Sequence, residues 1–392
     1  MSHYPYLIIG GGMTAAAVIQ GIREVDPTGA IGLIGGEPHP PYQRPPLSKA
    51  LWKGEAQERV WIAMESEGAD FHLGRMAQAL DPEHKRVVDD QGSVYTFDRL
   101  LLAIGGTPRR LPWGGDDLIY YRTLDDYQRL RLLTDQGQRF AVIGGGFIGS
   151  EIAAALAMNG KDVTMLFPGA GIGQHLFGPD LAAFLNAYYR QHGVEVLPGE
   201  TAAGLERRGG QIALRRARGR ELLVDGVVAG IGIAPNIALA QAAGLAVDNG
   251  VVVDALLRTS QPDIYAAGDV ANFANPFLGK RMRVEHEDNA NTMGRHAGRN
   301  MAGAQAPYDH LPFFYSDLFD LGYEAVGELD ARLEIVADWK EPFREGVQYY
   351  LRDGRVRGVL LWNVWEQVDS ARRLIAAPGP FHADDLIGRL PA

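Results

Sequence analysis

The chain has 392 residues, 46% hydrophobic and 22% charged, with a net charge of −10; it is long enough for two or three domains and too acidic for a general nucleic-acid binder. It has no cysteine, which excludes disulfide chemistry, thiolate nucleophiles, Cys-ligated zinc and iron–sulfur clusters. No apolar run reaches membrane-spanning length, and a strand begins almost at the first residue, so the expectation is a cytoplasmic protein with neither signal nor transit peptide.

Residues 6–17, YLIIGGGMTAAA, read as a buried strand, a glycine turn and the start of a helix running to about Val25. Gly10 allows the sharp turn, Gly12 leaves room for a pyrophosphate against the backbone, and Ala15 takes the place of the third glycine, where helix and strand pack closely. The helix start offers free N–H groups and partial positive charge to an anion. Residues 30–34 read as the second strand. Glu37 lies just beyond it, where an acid grips a ribose; Gly36 is nearer the strand end, and an exposed loop acid is the alternative.

In residues 41–49, PYQRPPLSK, the two prolines stiffen the chain, Ser48 is placed to cap a following helix, and Arg44 and Lys49 bring two cations toward a phosphate-binding loop. A solvated basic turn has the same chemistry. Residues 70–97 read as short strands and hairpins, and 100–108 as a buried strand ending in a glycine turn. Residues 116–124 cross into a new unit.

That unit opens with FAVIGGGFIGSE, residues 140–151, where the fingerprint is complete in Gly144, Gly146 and Gly149. Its second strand, residues 162–166, leads into Phe167-Pro168-Gly169, with neither the acid that suits NAD nor the arginine that suits NADP, so the nucleotide is left open. Residues 205–225 alternate like a hairpin and carry Arg207, Arg208, Arg215, Arg216, Arg218 and Arg220, either a solvated face or a docking patch for an acidic electron carrier. Residues 225–236 mirror 100–108. Residues 264–269 give a strand, a glycine turn and Asp269, then VEHEDNAN and a helix to about Met301. Beyond Pro312 the pattern is that of antiparallel strands at 323–328, 333–337, 346–351 and 358–363, with a helix over 368–375. Trp362 and Trp365 suit a core or an interface.

Three stretches, PYQRPPLSKALW, YAAGDVANF and VEHEDNANTMGRHAG, resemble the pyridine-nucleotide-dependent FAD oxidoreductases with two dinucleotide domains, the group of ferredoxin reductases. LFPGAGIGQHLFGPDL and YYLRDGRVRGVLLWNVW are most similar to apoptosis-inducing factor and its bacterial relatives, and YDHLPFFYSDLFDLGYEAVGE also to monodehydroascorbate reductase. The resemblance covers residues 6 to about 373. It implies an α/β fold with two Rossmann-like, glutathione-reductase-like domains: FAD-binding at 1–115 and 245–311, NAD(P)H-binding at 116–244, and a C-terminal α+β domain at 312–392.

It also implies roles. Gly10, Gly12, Met13 and Thr14 would hold the FAD pyrophosphate, Glu37 the adenosine ribose, and Ala77 the adenine through its backbone. Arg44 and Arg122 would touch the FAD, Lys49 would lie under the isoalloxazine paired to Glu151, and Asp269 would bind the ribityl chain or phosphate. Glu285 and His286 would flank the flavin ring and Tyr315 would cover one edge. Gly146, Phe147, Ile148 and Glu151 match the nicotinamide-nucleotide loop, and Gly232, Glu324 and Asn363 match further contacts to it. Lys49, Glu151, Phe147 and His286 are the candidate catalytic residues, with no metal expected: hydride would pass from NAD(P)H to flavin N5 in stacked rings, Phe147 gating the stack and Lys49 stabilising anionic flavin.

Three departures stand out. Gly169 and His175 replace a glutamate and a lysine of apoptosis-inducing factor, Asn291 replaces a substrate arginine of monodehydroascorbate reductase, and the long C-terminal insertion and mitochondrial leader of the mammalian factor are expected to be absent. The favoured expectation is an NAD(P)H oxidoreductase, NADH preferred, passing electrons directly to a small-molecule or quinone acceptor. The alternatives are a ferredoxin or rubredoxin reductase and a redox-responsive binding protein with slow NADH oxidase activity; a monomer or homodimer is expected.

Overall fold

The computed structural model describes residues 1–64 and 68–391. Its helices are α1 (Met13–Arg23), α2 (Leu124–Gln136), α3 (Phe147–Met158), α4 (Pro179–Gln191), α5 (Ala238–Ala242), α6 (Glu287–Met301), α7 (Val368–Ala376) and α8 (Ala383–Leu386). The chain folds as two compact units: Met1–Gln43 with Glu58–Thr107 and Ala234–Pro312, and Arg44–Gln57 with Pro108–Ile233 and Phe313–Ala392.

The first unit is built on a sheet with strand order Ala69–Leu73, Ile31–Gly35, Ser2–Ile9, Val94–Leu102, Arg86–Asp89 and Ala77–Asp81, with Ile264–Ala266 also paired to Val94–Leu102. The strands from Ala69–Leu73 to Val94–Leu102, and Ile264–Ala266, run parallel. Leu7, Ile8, Leu33, Leu100 and Leu101 are wholly buried, as befits parallel strands covered on both faces. Helix α1 ends at Arg23, two residues before the expected limit, because Glu24 already closes it. It buries Val18, Ile19 and Ile22 completely, worth about 1.5–3 kcal/mol each.

α1 packs on α6 with backbones almost touching. A Cβ on Gly21 would stand 2.0 Å from the Arg295 carbonyl oxygen, and one on Gly298 2.2 Å from that of Val18. Any larger residue there would force the two helices apart.

The second unit carries a parallel sheet in the order Val194–Pro198, Asp162–Phe167, Arg139–Ile143, Gly226–Ala229, Leu118–Ile119. The arginine-rich segment forms the antiparallel strands Ala202–Arg208, Gln211–Arg216 and Leu222–Val224. Several of its cations have acidic neighbours: Arg207 meets Asp117 at 2.6 Å and Arg208 meets Glu221 at 2.7 Å.

After Pro312 comes an antiparallel sheet in the order Phe313–Leu318, Leu321–Gly327, Arg355–Trp362, Glu345–Arg352, Glu334–Glu341. Trp362 is fully buried, its ring stacked on Tyr323 at 5.6 Å between centroids. Trp365 is 49% exposed. Among the described residues no helix is long and apolar enough to cross a membrane.

Candidate functional site

Two matching turns organise the two units. Gly10 has φ +119° and Gly144 φ +120°, values that L side chains rarely adopt. A Cβ on Gly10 would lie 2.2 Å from the Ala103 carbonyl oxygen, and one on Gly144 2.2 Å from that of Gly230. Each turn thus runs against a neighbouring strand end, and only glycine fits there.

Helices α1 and α3 leave these turns with Gly12 and Gly146 as N-caps, with no side-chain cap and no acid in the first turn. Helix α2, away from any such turn, is capped by its own Thr123 and Asp126. The uncapped N–H groups are what a pyrophosphate requires. A Cβ on Gly146 would meet nothing within 4 Å, so the chain leaves open space where a ligand would approach the backbone.

In the first unit, Thr14 in the first turn of α1 is brought against the glycine-acid turn: a Cβ on Gly268 would lie 2.2 Å from Thr14 Oγ1. Asp269 follows directly, half-buried, and its carbonyl accepts from Arg283 Nη1 at 3.1 Å. Arg283 also pairs with Glu285 at 2.5 Å. His286 is the N-cap of α6. Glu37, beyond the second strand, accepts the Tyr42 hydroxyl at 2.6 Å. Ala77 opens the strand Ala77–Asp81. The start of α1 with Thr14 thus lies against the glycine turn that carries Asp269, which brings N–H donors suited to a phosphate and an acid suited to a hydroxyl to one end of the sheet.

In the second unit, Glu151 of α3 is the hub. It is 4% exposed and accepts Lys49 Nζ at 2.7 Å, Ser48 Oγ at 2.6 Å and Ser316 Oγ at 2.6 Å. Ser48 thus spends its hydroxyl on Glu151 and caps no helix; the short 3-10 turn that follows takes Lys49 as its N-cap. The Lys49 ammonium also lies 5.3 Å from the Tyr315 ring centroid. Phe147, first residue of α3, meets Phe314 edge-on at 5.3 Å, and Ile148 beside it is half-buried. Arg44 Nη1 donates to the Arg122 carbonyl at 2.9 Å.

Glu324 stands opposite Tyr315 in the sheet register. Burial, with Glu366 adding to it, pushes its carboxyl above the ordinary glutamate range, and its buried Oε2 has no hydrogen-bond partner among the described residues. A buried acceptor without a donor is costly, and a ligand amide would relieve it. Asn363, at φ +50°, exchanges hydrogen bonds with Gly322 two residues from Glu324. Lys49, Phe147, Glu151, Tyr315 and Glu324 thus belong to one neighbourhood, while Gly232 binds the Arg109 N–H through its carbonyl. Ser316 and Arg283 escaped the sequence reading; a small hydroxyl at Ser316, on the buried face of an alternating strand, was the one available signal.

Residues 4–294 match the family described as pyridine nucleotide-disulphide oxidoreductase. The chain belongs to this family. Residues 297–342 and 337–377 match the apoptosis-inducing factor, mitochondrion-associated, C-terminal domain. Similar proteins include the 5,5′-dehydrodivanillate O-demethylase ferredoxin reductase subunit of Sphingobium sp., 36% identical over 91% of this chain and 89% of that one. Apoptosis-inducing factor 1 of Dictyostelium discoideum is 33% identical over 96% and 79%. Among solved structures, the covalent putidaredoxin reductase–putidaredoxin complex superposes with TM-score 0.89 at 31% identity, covering 96% of this chain and 94% of that one. The protein is an FAD-dependent NAD(P)H oxidoreductase. With no cysteine, this chain has no dithiol relay.

Proposed function

We propose that the protein takes reducing equivalents from NAD(P)H and delivers them to a ferredoxin-type carrier. Two uncapped helix starts behind glycine turns, in a chain without cysteine, carry this reading. The ferredoxin reductase names of similar proteins support the choice of carrier. A second reading, direct transfer to a small-molecule or quinone acceptor, is favoured by the match to the apoptosis-inducing factor C-terminal domain.

Bound FAD supplies the exchange between two-electron hydride and one-electron chemistry. The residues divide that task. Gly10, Gly12, Met13 and Thr14 bind the pyrophosphate, Asp269 the ribityl side, Glu37 the ribose and Ala77 the adenine. Arg44 and Arg122 would help to hold the cofactor, with Glu285 and His286 toward its flavin end. Lys49, held by Glu151 and next to the Tyr315 ring, would supply a fixed positive charge to the flavin. Gly146, Phe147, Ile148, Gly232, Glu324 and Asn363 bind and orient the nicotinamide nucleotide. The first unit, in this reading, is the FAD-binding body, and the second joins the NAD(P)H-binding and C-terminal domains.

Anaerobic stopped-flow tests the whole reading. The purified protein is expected to be yellow and to bleach on mixing with NADH or NADPH. Oxidation by a [2Fe–2S] ferredoxin should then outpace oxidation by a quinone. A colourless folded preparation would refute the flavin assignment, and faster turnover with the quinone would select the second reading.

A further inference from the structure

The second unit departs from the usual dinucleotide plan where the strand Asp162–Phe167 ends. An acid there accepts from the ribose 2′-hydroxyl of NAD, and an arginine nearby pairs with the 2′-phosphate of NADP. Here the strand is followed by Pro168 and Gly169, and residues 163–178 hold no Asp, Glu, Lys or Arg.

A different side chain fills the place. A Cβ on Gly169 would lie 2.4 Å from Gln174 Nε2 and 2.7 Å from its Oε1. The Gln174 amide therefore occupies the volume that an acidic side chain at 169 would enter. Its Oε1 accepts the Ala170 N–H at 2.6 Å, which fixes the orientation of the amide. Its Nε2 has no hydrogen-bond partner among the described residues.

The loop that carries it is pinned to the glycine turn. The Gly173 N–H donates to the Gly145 carbonyl at 2.9 Å, and the Gly199 N–H to that of Gly169 at 2.9 Å. Buried Asn186 accepts from Ile172 N–H at 3.1 Å and donates to the Ala170 carbonyl at 2.8 Å. Glu200, just beyond the neighbouring strand Val194–Pro198, is committed to the N–H groups of Thr201 and Arg218, with Arg216 at 3.9 Å.

We propose that Gln174 reads the 2′ position of the adenosine ribose, and that the protein accepts NADH and NADPH with little discrimination. This rests on the reading of residues 144–149 as the nicotinamide-nucleotide cradle. An amide N–H donates equally to a hydroxyl oxygen or to a phosphate oxygen. It neither repels the 2′-phosphate, as a carboxylate would, nor rewards it as an arginine would.

Calorimetric titration of the oxidised holoprotein with NAD⁺ and NADP⁺, which differ only in the 2′-phosphate, tests this without turnover. The two dissociation constants should agree within about tenfold, a difference of about 1.4 kcal/mol. Gln174→Glu keeps an acceptor for the Ala170 N–H and should weaken NADP⁺ at least about tenfold relative to NAD⁺. A wild-type preference above tenfold, or a ratio that Gln174→Glu leaves unchanged, overturns the proposal. Gly146→Val separates the two readings: loss of both nucleotides supports the cradle, and undiminished binding of both removes it, whatever Gln174 does.

Discussion

Ser316 donates its hydroxyl to Glu151 Oε1 at 2.6 Å, joining the first strand of the C-terminal sheet to helix α3, 165 positions away in the chain. Glu151 takes Lys49 on the same oxygen and Ser48 on the other. A buried carboxylate with three donors is a fixed point, and the strand bearing Tyr315 is registered on it. Ser316→Ala should lower stability by about 1–3 kcal/mol, the cost of leaving one acceptor site of a buried charged group unmet. Chemical denaturation measures this, and an unchanged midpoint would deny the hydroxyl any role.

Lys49 is the cation that Glu151 holds, 12% exposed at its side chain. Lys49→Ala should slow flavin reduction by NADH by about a hundred- to a thousandfold, the scale on which a fixed electrostatic partner acts. Rapid-mixing spectroscopy reads the rate; reduction at the wild-type speed would take Lys49 out of the mechanism.

Glu324 is held above the ordinary glutamate range by burial and by Glu366. The folded state therefore favours the protonated carboxyl. That contribution to stability is fully present below the unfolded value of about 4.3 and is lost as pH rises through the folded value. Glu324→Gln mimics the neutral form, so its melting temperature should exceed that of the wild type at pH 8 and converge with it near pH 4. Glu324→Ala should weaken NADH binding about tenfold, the loss of one hydrogen-bonding partner, with FAD content unchanged. Equal melting at pH 8, or equal NADH affinity, would count against the assignment.

Asp89 shows the opposite shift. Burial pushes its carboxyl up, but Arg75, the Ser93 N–H, the Tyr95 hydroxyl and the Gln91 N–H outweigh it and bring it down to about 2. Its contribution is present above the unfolded value of about 3.9 and is lost as pH falls toward 2. Asp89→Asn should cost about 2–4 kcal/mol at neutral pH, and the gap to the wild type should shrink in acid. Denaturation midpoints across that range decide the matter.

The glycine turns were legible because their constraint is local. Gly10 and Gly144 need a positive φ, and the neighbouring apolar strands and small helical residues announce themselves within a dozen positions. Helix Glu287–Met301 was equally plain. The strand Phe313–Leu318 was not resolved as a separate element, since its alternation merges with the strand that follows. The partners of Glu151 and the amide at Gln174 were hidden for another reason: each depends on residues joined only by the fold. Ser48, with a proline pair before it, carried every local mark of a helix cap, and tertiary contact redirected its hydroxyl.

The close crossing of α1 and α6 has a consequence for biosynthesis. Helix α1 (Met13–Arg23) is synthesised well before α6 (Glu287–Met301), the helix that covers it. Until then the nascent chain carries an apolar helix, with Val18, Ile19 and Ile22, that lacks its final neighbour. Ribosome-bound intermediates stalled before residue 287 should therefore engage chaperones through this helix, and release should follow once α6 clears the exit tunnel.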